Sequence, residues 1–453
     1  MDGLTRRRLL AVGATAALGG CPGFGASGES EPTPLDATAI ATAVSGPLPA
    51  VTEPFPVTVA PSHLDDARHR VRATLAEVPD PLPTEGTPDE TTRALVERAV
   101  ERARENLSAA DGAQTTRERL GDLRGARYSA ERAASTWAFA TDELTREAVR
   151  SRALTLEREV GEFRENRTCV GDPDDPVRAL LVHGVVGSLA ERAGDDATPE
   201  WDDYERASSD APTAADAGAE QLPDARAVGE RAGTIAEGRA RLADARHLDE
   251  RFDDSLAASR SLEGTFVDAR ASLTETLESG VAELPGPDAT ETELVGTDAA
   301  GVGRAVESAL RQLHADAHYL ADRDATADPA SDVLARYHGL ATADAFETLR
   351  DRVVHGDELG VDSAAALRGR RDEAVDAVET ALAESEDRRL ARDLLAYPVA
   401  RMASTDASLR EWDRATLQQA AVSDRARYYV EFAALARATP EAVDETLAAL
   451  DVF

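Results

Sequence analysis

The sequence predicts an all-α protein in which long antiparallel helical hairpins lead into a compact multi-helix C-terminal domain. Apolar residues recur at spacings of three and four along most of the chain, the period of an amphipathic helix. Aromatic residues make up only 4%, and the 42% apolar content is mostly alanine, leucine and valine. One stretch alone, Phe55 to Ala60, alternates with a period of two, as a short strand or an arm laid on a helix would. With 453 residues the chain exceeds what one compact core holds, so two or three helical units are expected.

Taken in order, residues 1–20 form a leader and residues 21–54 a tether. Prolines at 22, 32, 34, 47, 49 and 54 among Gly, Ser and Thr predict an extended chain there. An N-terminal helical domain follows over 55–194. Ser62 opens its first helix, with Asp65 in a capping-box position, and Leu64, Ala67, Val71, Leu75 and Val78 line one face. Pro79, Pro81 and Pro83 end it. The next helix begins at Thr87-Pro88, with Asp89 and Glu90 on the positive end of its dipole, and runs to about Ala110.

From Ala113 to about Asn166 the helical period is almost unbroken, divisible at Gly121, Gly125 or Thr141-Asp142-Glu143. Val149, Ala153, Leu156, Val160 and Phe163 have the seam spacing of a helical hairpin. Asp175-Pro176 caps a helix from Val177 to Ala193 that is apolar nearly all round, which marks a central core helix. Residues 195–222 form an acidic linker and 223–284 a long hairpin with a break near Ser261 to Gly264. Pro285-Gly286-Pro287 starts a linker over 285–297. The C-terminal domain, 298–453, is expected to hold seven or so shorter helices, one of them kinked by Pro398.

The leader follows a different logic. Arg6 and Arg7 stand before an apolar run, Leu9 to Leu18, and small residues lead into Cys21. The order Thr5-Arg6-Arg7-Arg8-Leu9-Leu10 resembles a twin-arginine export signal, and Leu18-Gly19-Gly20-Cys21 resembles a lipoprotein cleavage box. The resemblance implies cutting before Cys21, a lipid on its sulfur, and a mature body held on the extracytoplasmic face of the membrane. The apolar run of about ten residues falls short of the roughly twenty needed to cross a bilayer.

Asp and Glu number 85 against 50 basic residues, a formal net charge of -35, and every basic residue is arginine. This composition resembles proteins of salt-loving archaea, where carboxylates solvate the surface and lysine is avoided. In dilute buffer so much like charge loosens a compact state, whereas at 1 M salt the screening length shrinks to about 3 Å. The charge argues against a nucleic-acid partner, since nothing neutralises phosphates. It leaves the membrane, through Cys21, and other surface proteins as partners. Without lysine, phosphate-loop, Schiff-base and Ser-x-x-Lys chemistries are excluded.

Few residues carry chemistry. His314 and His318 are four apart on one predicted helix face with Asp322 a turn further on, a pattern suited to a divalent metal completed from another helix. Ala315 stands where the zinc-protease helix needs glutamate. His247-Leu248-Asp249-Glu250 resembles the short His-x-x-Glu motif of the imelysin-like exported helical proteins linked to iron uptake, and His355 to Glu358 repeats it. His183, on the apolar helix, is expected to be a hydrogen-bonded core histidine. Gly301-Val302-Gly303 suits a flexible helix entry or, less simply, an anion site. Cys169 has no partner once Cys21 carries lipid, and reads as a partly buried thiol. Asn106 and Asn166 begin acceptor sequons, Asn166 in the better-exposed turn. The expected function is a helical interaction or structural module at the cell surface. The alternative is a metal- or solute-binding accessory lipoprotein using His and carboxylate ligands.

Overall fold

The computed structural model describes residues 34–52, 55, 57–83, 89–113, 115–198, 221–296, 303–326, 328–412 and 416–451. The all-α class holds. Among these residues there are fourteen helices and four strands of two residues each. Arg6, Arg7, Cys21, Thr87, Pro88, Gly301 and Val302 lie outside the described residues, as do 199–220 of the expected acidic linker.

Six helices make an N-terminal unit: α2 (Pro61–Ala76), α3 (Glu90–Gly112), α4 (Thr116–Ala140), α5 (Arg146–Asn166), α6 (Pro176–Ala197) and α7 (Gln221–Ser255). Side chains that satisfy free N–H groups fix their starts. Asp89 accepts from Thr91 and Thr92 N–H, Thr115 and Glu118 form a capping box, and Thr145 and Asp175 cap α5 and α6. The expected capping box at Ser62 and Asp65 does not form. Pro61 takes the first helical position after Ala60, and Asp65 instead pairs with Arg68 at 3.3 Å. The division of 113–166 falls at Thr141 to Thr145, while Gly121 and Gly125 stay inside α4.

The long helices α4 and α7 pack side by side because two glycines let them approach. A Cβ on Gly229 would stand 1.9 Å from Thr136 Oγ1, and one on Gly233 2.8 Å from the Tyr128 carbonyl. The hairpin seam Val149, Ala153, Leu156 and Val160 is buried against α6 and α7, joined by Val228, Ile235 and Leu242. The apolar helix α6 is central, with fourteen of its residues buried. Val57 and Val59 are buried without strand pairing, so the alternating stretch is an arm on the core.

After β3 (Arg260–Ser261) come α8 (Glu263–Glu283) and the short α9 (Glu291–Val295), which ends on Gly296 in the left-handed region at φ 74°. From residue 303 onward there are five helices, fewer and longer than the seven expected: α10 (Arg304–Ala321), α11 (Pro329–Val354), α12 (Ala364–Glu384), α13 (Arg388–Arg410) and α14 (Gln419–Ala449). Pro398 lies inside α13, where the sequence placed it, and Pro440 lies inside α14. The 31-residue α14 packs on α8, α10, α11, α12 and α13. Phe266, Leu273 and Leu277 of α8 join Phe346 and Leu349 of α11 in one core, across the Pro285 to Pro287 turn. Each such side chain contributes about 1.5–3 kcal/mol by leaving water.

Residues 35–48, expected to be extended tether, are folded. Leu35–Asp36 (β1) pairs antiparallel with Thr416–Leu417 (β4), and α1 (Ala37–Ala43) packs on α12 and α13. Ile40, Ala43 and Val44 enter a second core with Leu367, Val378, Leu395 and Met402. The prolines that signalled an extended chain flank a short apolar helix capped by Asp36.

Candidate functional site

A buried polar constellation lies between the two helical units, where α5 ends and α11 begins. Arg167, immediately after α5, is nearly buried. Its Nε donates to Asp249 Oδ1 (3.3 Å), Nη1 to Asp328 Oδ2 (2.5 Å), and Nη2 to His183 Nδ1 (2.8 Å) and the His183 carbonyl (2.9 Å). His183 is fully buried and, on its other nitrogen, donates Nε2–H to the Val170 carbonyl at 2.6 Å. Its tautomer is therefore fixed. Burial, with Arg167 behind it, lowers the imidazole pKa to about 4, so the ring stays neutral. His183 is the hydrogen-bonded core histidine that the sequence predicts.

Asp328 does double duty. It caps α11 by accepting from Ala330 and Ser331 N–H, and it holds Arg167 from across the junction. Gly187 of α6 makes room, since a Cβ there would stand 1.7 Å from Asp328 Oδ2. Burial works against the Arg167 charge, yet Asp328 and Asp249 outweigh it and raise its pKa further. The strand pair β2 (Val170–Gly171) and β3 closes the same region, and Leu262 N–H donates to the Cys169 carbonyl at 2.7 Å. Arg323 reaches Glu191 at 2.7 Å and Arg389 reaches Asp175 at 2.9 Å, two more ion pairs across the junction.

A cleft of about 620 Å³ opens beside this network, lined by Arg164, Arg167, Cys169, Glu191, Glu263 and Asp328 among others. Of its polar groups, Arg167 is bonded to Asp328 and Arg164 to the Ala190 carbonyl. Cys169 is buried, and that burial pushes its thiol up to about 12, which keeps it protonated at neutral pH. The arrangement locks two units together with a neutral histidine and a guanidinium engaged through all three nitrogens; it offers no activated nucleophile from Cys169.

The structure brings His314 and His318 together, with ring centroids 4.5 Å apart. Both donate Nε2–H to one acceptor, the Pro285 carbonyl, at 2.7 and 2.9 Å. The pair thus clamps the Pro285 turn to α10. Asp322 is not drawn into this cluster; its backbone N–H caps the His318 carbonyl at the end of α10. Among the described residues no three His, Cys, Asp or Glu side chains converge as metal ligands. His247 stacks on His63 at 4.2 Å and its Nε2 accepts from Ala60 N–H at 3.0 Å, while Glu250 is exposed. His355 is exposed at the end of α11, its Nδ1 bonded to the Asp351 carbonyl.

The sequons differ in setting. Asn166 is exposed on the last turn of α5. Asn106 is half-buried and fills the space above Gly125, where a Cβ would stand 3.0 Å from its Nδ2. Sequence reasoning missed Arg167, Asp249 and Asp328 as a group. The one local signal was Asp328-Pro329, the same cap-and-proline start that marked α6.

Two family models match the chain. Residues 62–259 match a domain of unknown function (DUF8262), and residues 263–448 match another domain of unknown function (DUF8264). The matches meet at 260–262, which contains β3. No curated protein and no solved structure matches the chain.

Proposed function

We propose that the chain is a lipid-anchored extracytoplasmic protein of a halophile, a helical module that holds its body close to the membrane and presents long helix faces to surface partners. The observation that carries this is the short leash between Cys21 and the folded body. From Leu35 the chain is already paired with β4, and Arg371 takes the Gly46 and Pro47 carbonyls as acceptors. The fourteen steps from Cys21 to Leu35 reach at most roughly 50 Å. A lipid on Cys21 therefore keeps the C-terminal helices near the bilayer. Tyr319, Tyr397 and Val354 are large, exposed and apolar, as contact residues for a partner would be.

Replacing Cys21 by Ser tests the anchor. The expected outcome is movement of the protein from the membrane to the soluble fraction, with its circular dichroism unchanged. Retention of the Cys21→Ser chain in the membrane fraction would overturn the reading.

A further inference from the structure

A second cavity, away from the cleft and independent of any anchor, gathers arginines. It lies among α2, α4, α5 and α7, measures about 270 Å³, and is lined by Arg70, Arg124, Arg127, Arg239 and Arg246. Five arginines around one small space are unexpected in a chain of net charge -35. The lining holds only two carboxylates, Asp244 and Glu159. Asp244 is already shared between Arg124 (2.8 Å) and His63 (2.7 Å).

The other arginines have found neutral partners. Arg70 donates to the Asp66 carbonyl, Arg239 to that of Arg152, and Arg246 to that of Glu159. Arg127 has none: it makes no hydrogen bond or ion pair with any described residue, and its Nε is buried without an acceptor. A desolvated cation beside other cations is costly: burial, with Arg70 and Arg239, depresses its pKa against the opposing pull of Glu131. The floor is apolar, made by Leu120, Leu123 and Leu242.

We propose that this cavity binds a small amphipathic organic anion, its phosphate or carboxylate head held by Arg127 and the neighbouring arginines and its apolar body laid on Leu120, Leu123 and Leu242. Guanidinium forks match both head groups in bidentate geometry. The volume lies at the small end of ligand cavities, which favours a body of a few carbons.

The test titrates the full-length chain in detergent, at fixed chloride, with hexanoate, hexyl phosphate, inorganic phosphate and hexylammonium. Calorimetry and thermal unfolding are the readouts. Saturable binding is expected for hexyl phosphate or hexanoate, weaker binding for inorganic phosphate, and none for hexylammonium. Arg127→Gln should weaken that binding at least tenfold. Because Arg127 has no bond to lose, the unliganded variant should melt no lower than the parent, which separates a binding defect from a folding one. Arg239→Gln should weaken binding as well, whereas Arg102→Gln, on an exposed face of α3, should not. Absence of binding by all three anions overturns the proposal. So does anion binding that survives both Arg127→Gln and Arg239→Gln.

Discussion

Arg371 and Asp406 face each other where water has no access. Each is 2% exposed, and the guanidinium Nε and Nη2 lie 3.0 and 2.9 Å from Asp406 Oδ2. Tyr429 donates its hydroxyl to the other carboxylate oxygen at 2.6 Å, and burial beside Asp406 drives that phenol well above its ordinary pKa. The same guanidinium grips the Gly46 and Pro47 carbonyls. One buried ion pair thus joins α12, α13 and α14 to the folded N-terminal segment at Gly46 and Pro47.

Cutting this pair on one side should be far worse than removing both sides. Asp406→Ala strands a buried guanidinium, a loss of about 3–5 kcal/mol, read as a lowered urea midpoint. It should also expose residues 34–52 to limited proteolysis, because the strap loses its clamp. The double change Arg371→Met with Asp406→Leu should recover most of the stability. An Asp406→Ala chain as stable as the parent would show that the pair does not hold the strap.

Cys169 offers a probe of the junction between the units. Its thiol is buried, and burial raises its pKa to about 12, outweighing the nearby Arg167. In the Cys21→Ser chain, where it is the only cysteine, maleimide labelling at neutral pH should be negligible until denaturant is added. Prompt labelling of the native chain would mean that the cleft opens on the time scale of the reagent.

What could be seen in the sequence was set by local pattern. Helix α6 announced itself through Asp175-Pro176 and an unbroken apolar run, and His183 could be assigned to the core from that run alone. The folded strap could not be seen, because Pro47 and Pro49 speak for an extended chain while the partner of Gly46 and Pro47 lies more than 320 residues away at Arg371. Pro398 could be placed inside a helical period from the sequence, and it lies buried within α13. The arginine cavity was hidden for a reason similar to the strap's. Arg124 and Arg127 share a face of α4, and Arg239 and Arg246 share one of α7, but only tertiary packing turns those faces toward each other.

The last expectation concerns pH, where two kinds of buried group pull in opposite directions. Burial raises Asp344 to about 7, helped by Glu441 and Glu445, and raises Glu431 to about 7, with Asp316 adding and Arg427 subtracting. Both acids therefore hold protons in the folded chain that an unfolded chain, titrating near 4, has already lost. Their contribution is complete below about pH 4 and disappears as pH rises to about 7. His183 does the reverse: lowered to about 4, it stays neutral where an unfolded histidine takes up a proton, so its contribution is present above about 6.5 and fades as pH falls. The double variant Asp344→Asn with Glu431→Gln removes the first kind and leaves the second. Its melting temperature minus that of the parent should grow from pH 4 to about 7 and then level off. In the variant alone, stability should rise with pH across the same window as His183 loses its unfolded-state proton. A difference between variant and parent that stays flat with pH would mean that Asp344 and Glu431 ionise normally in the fold.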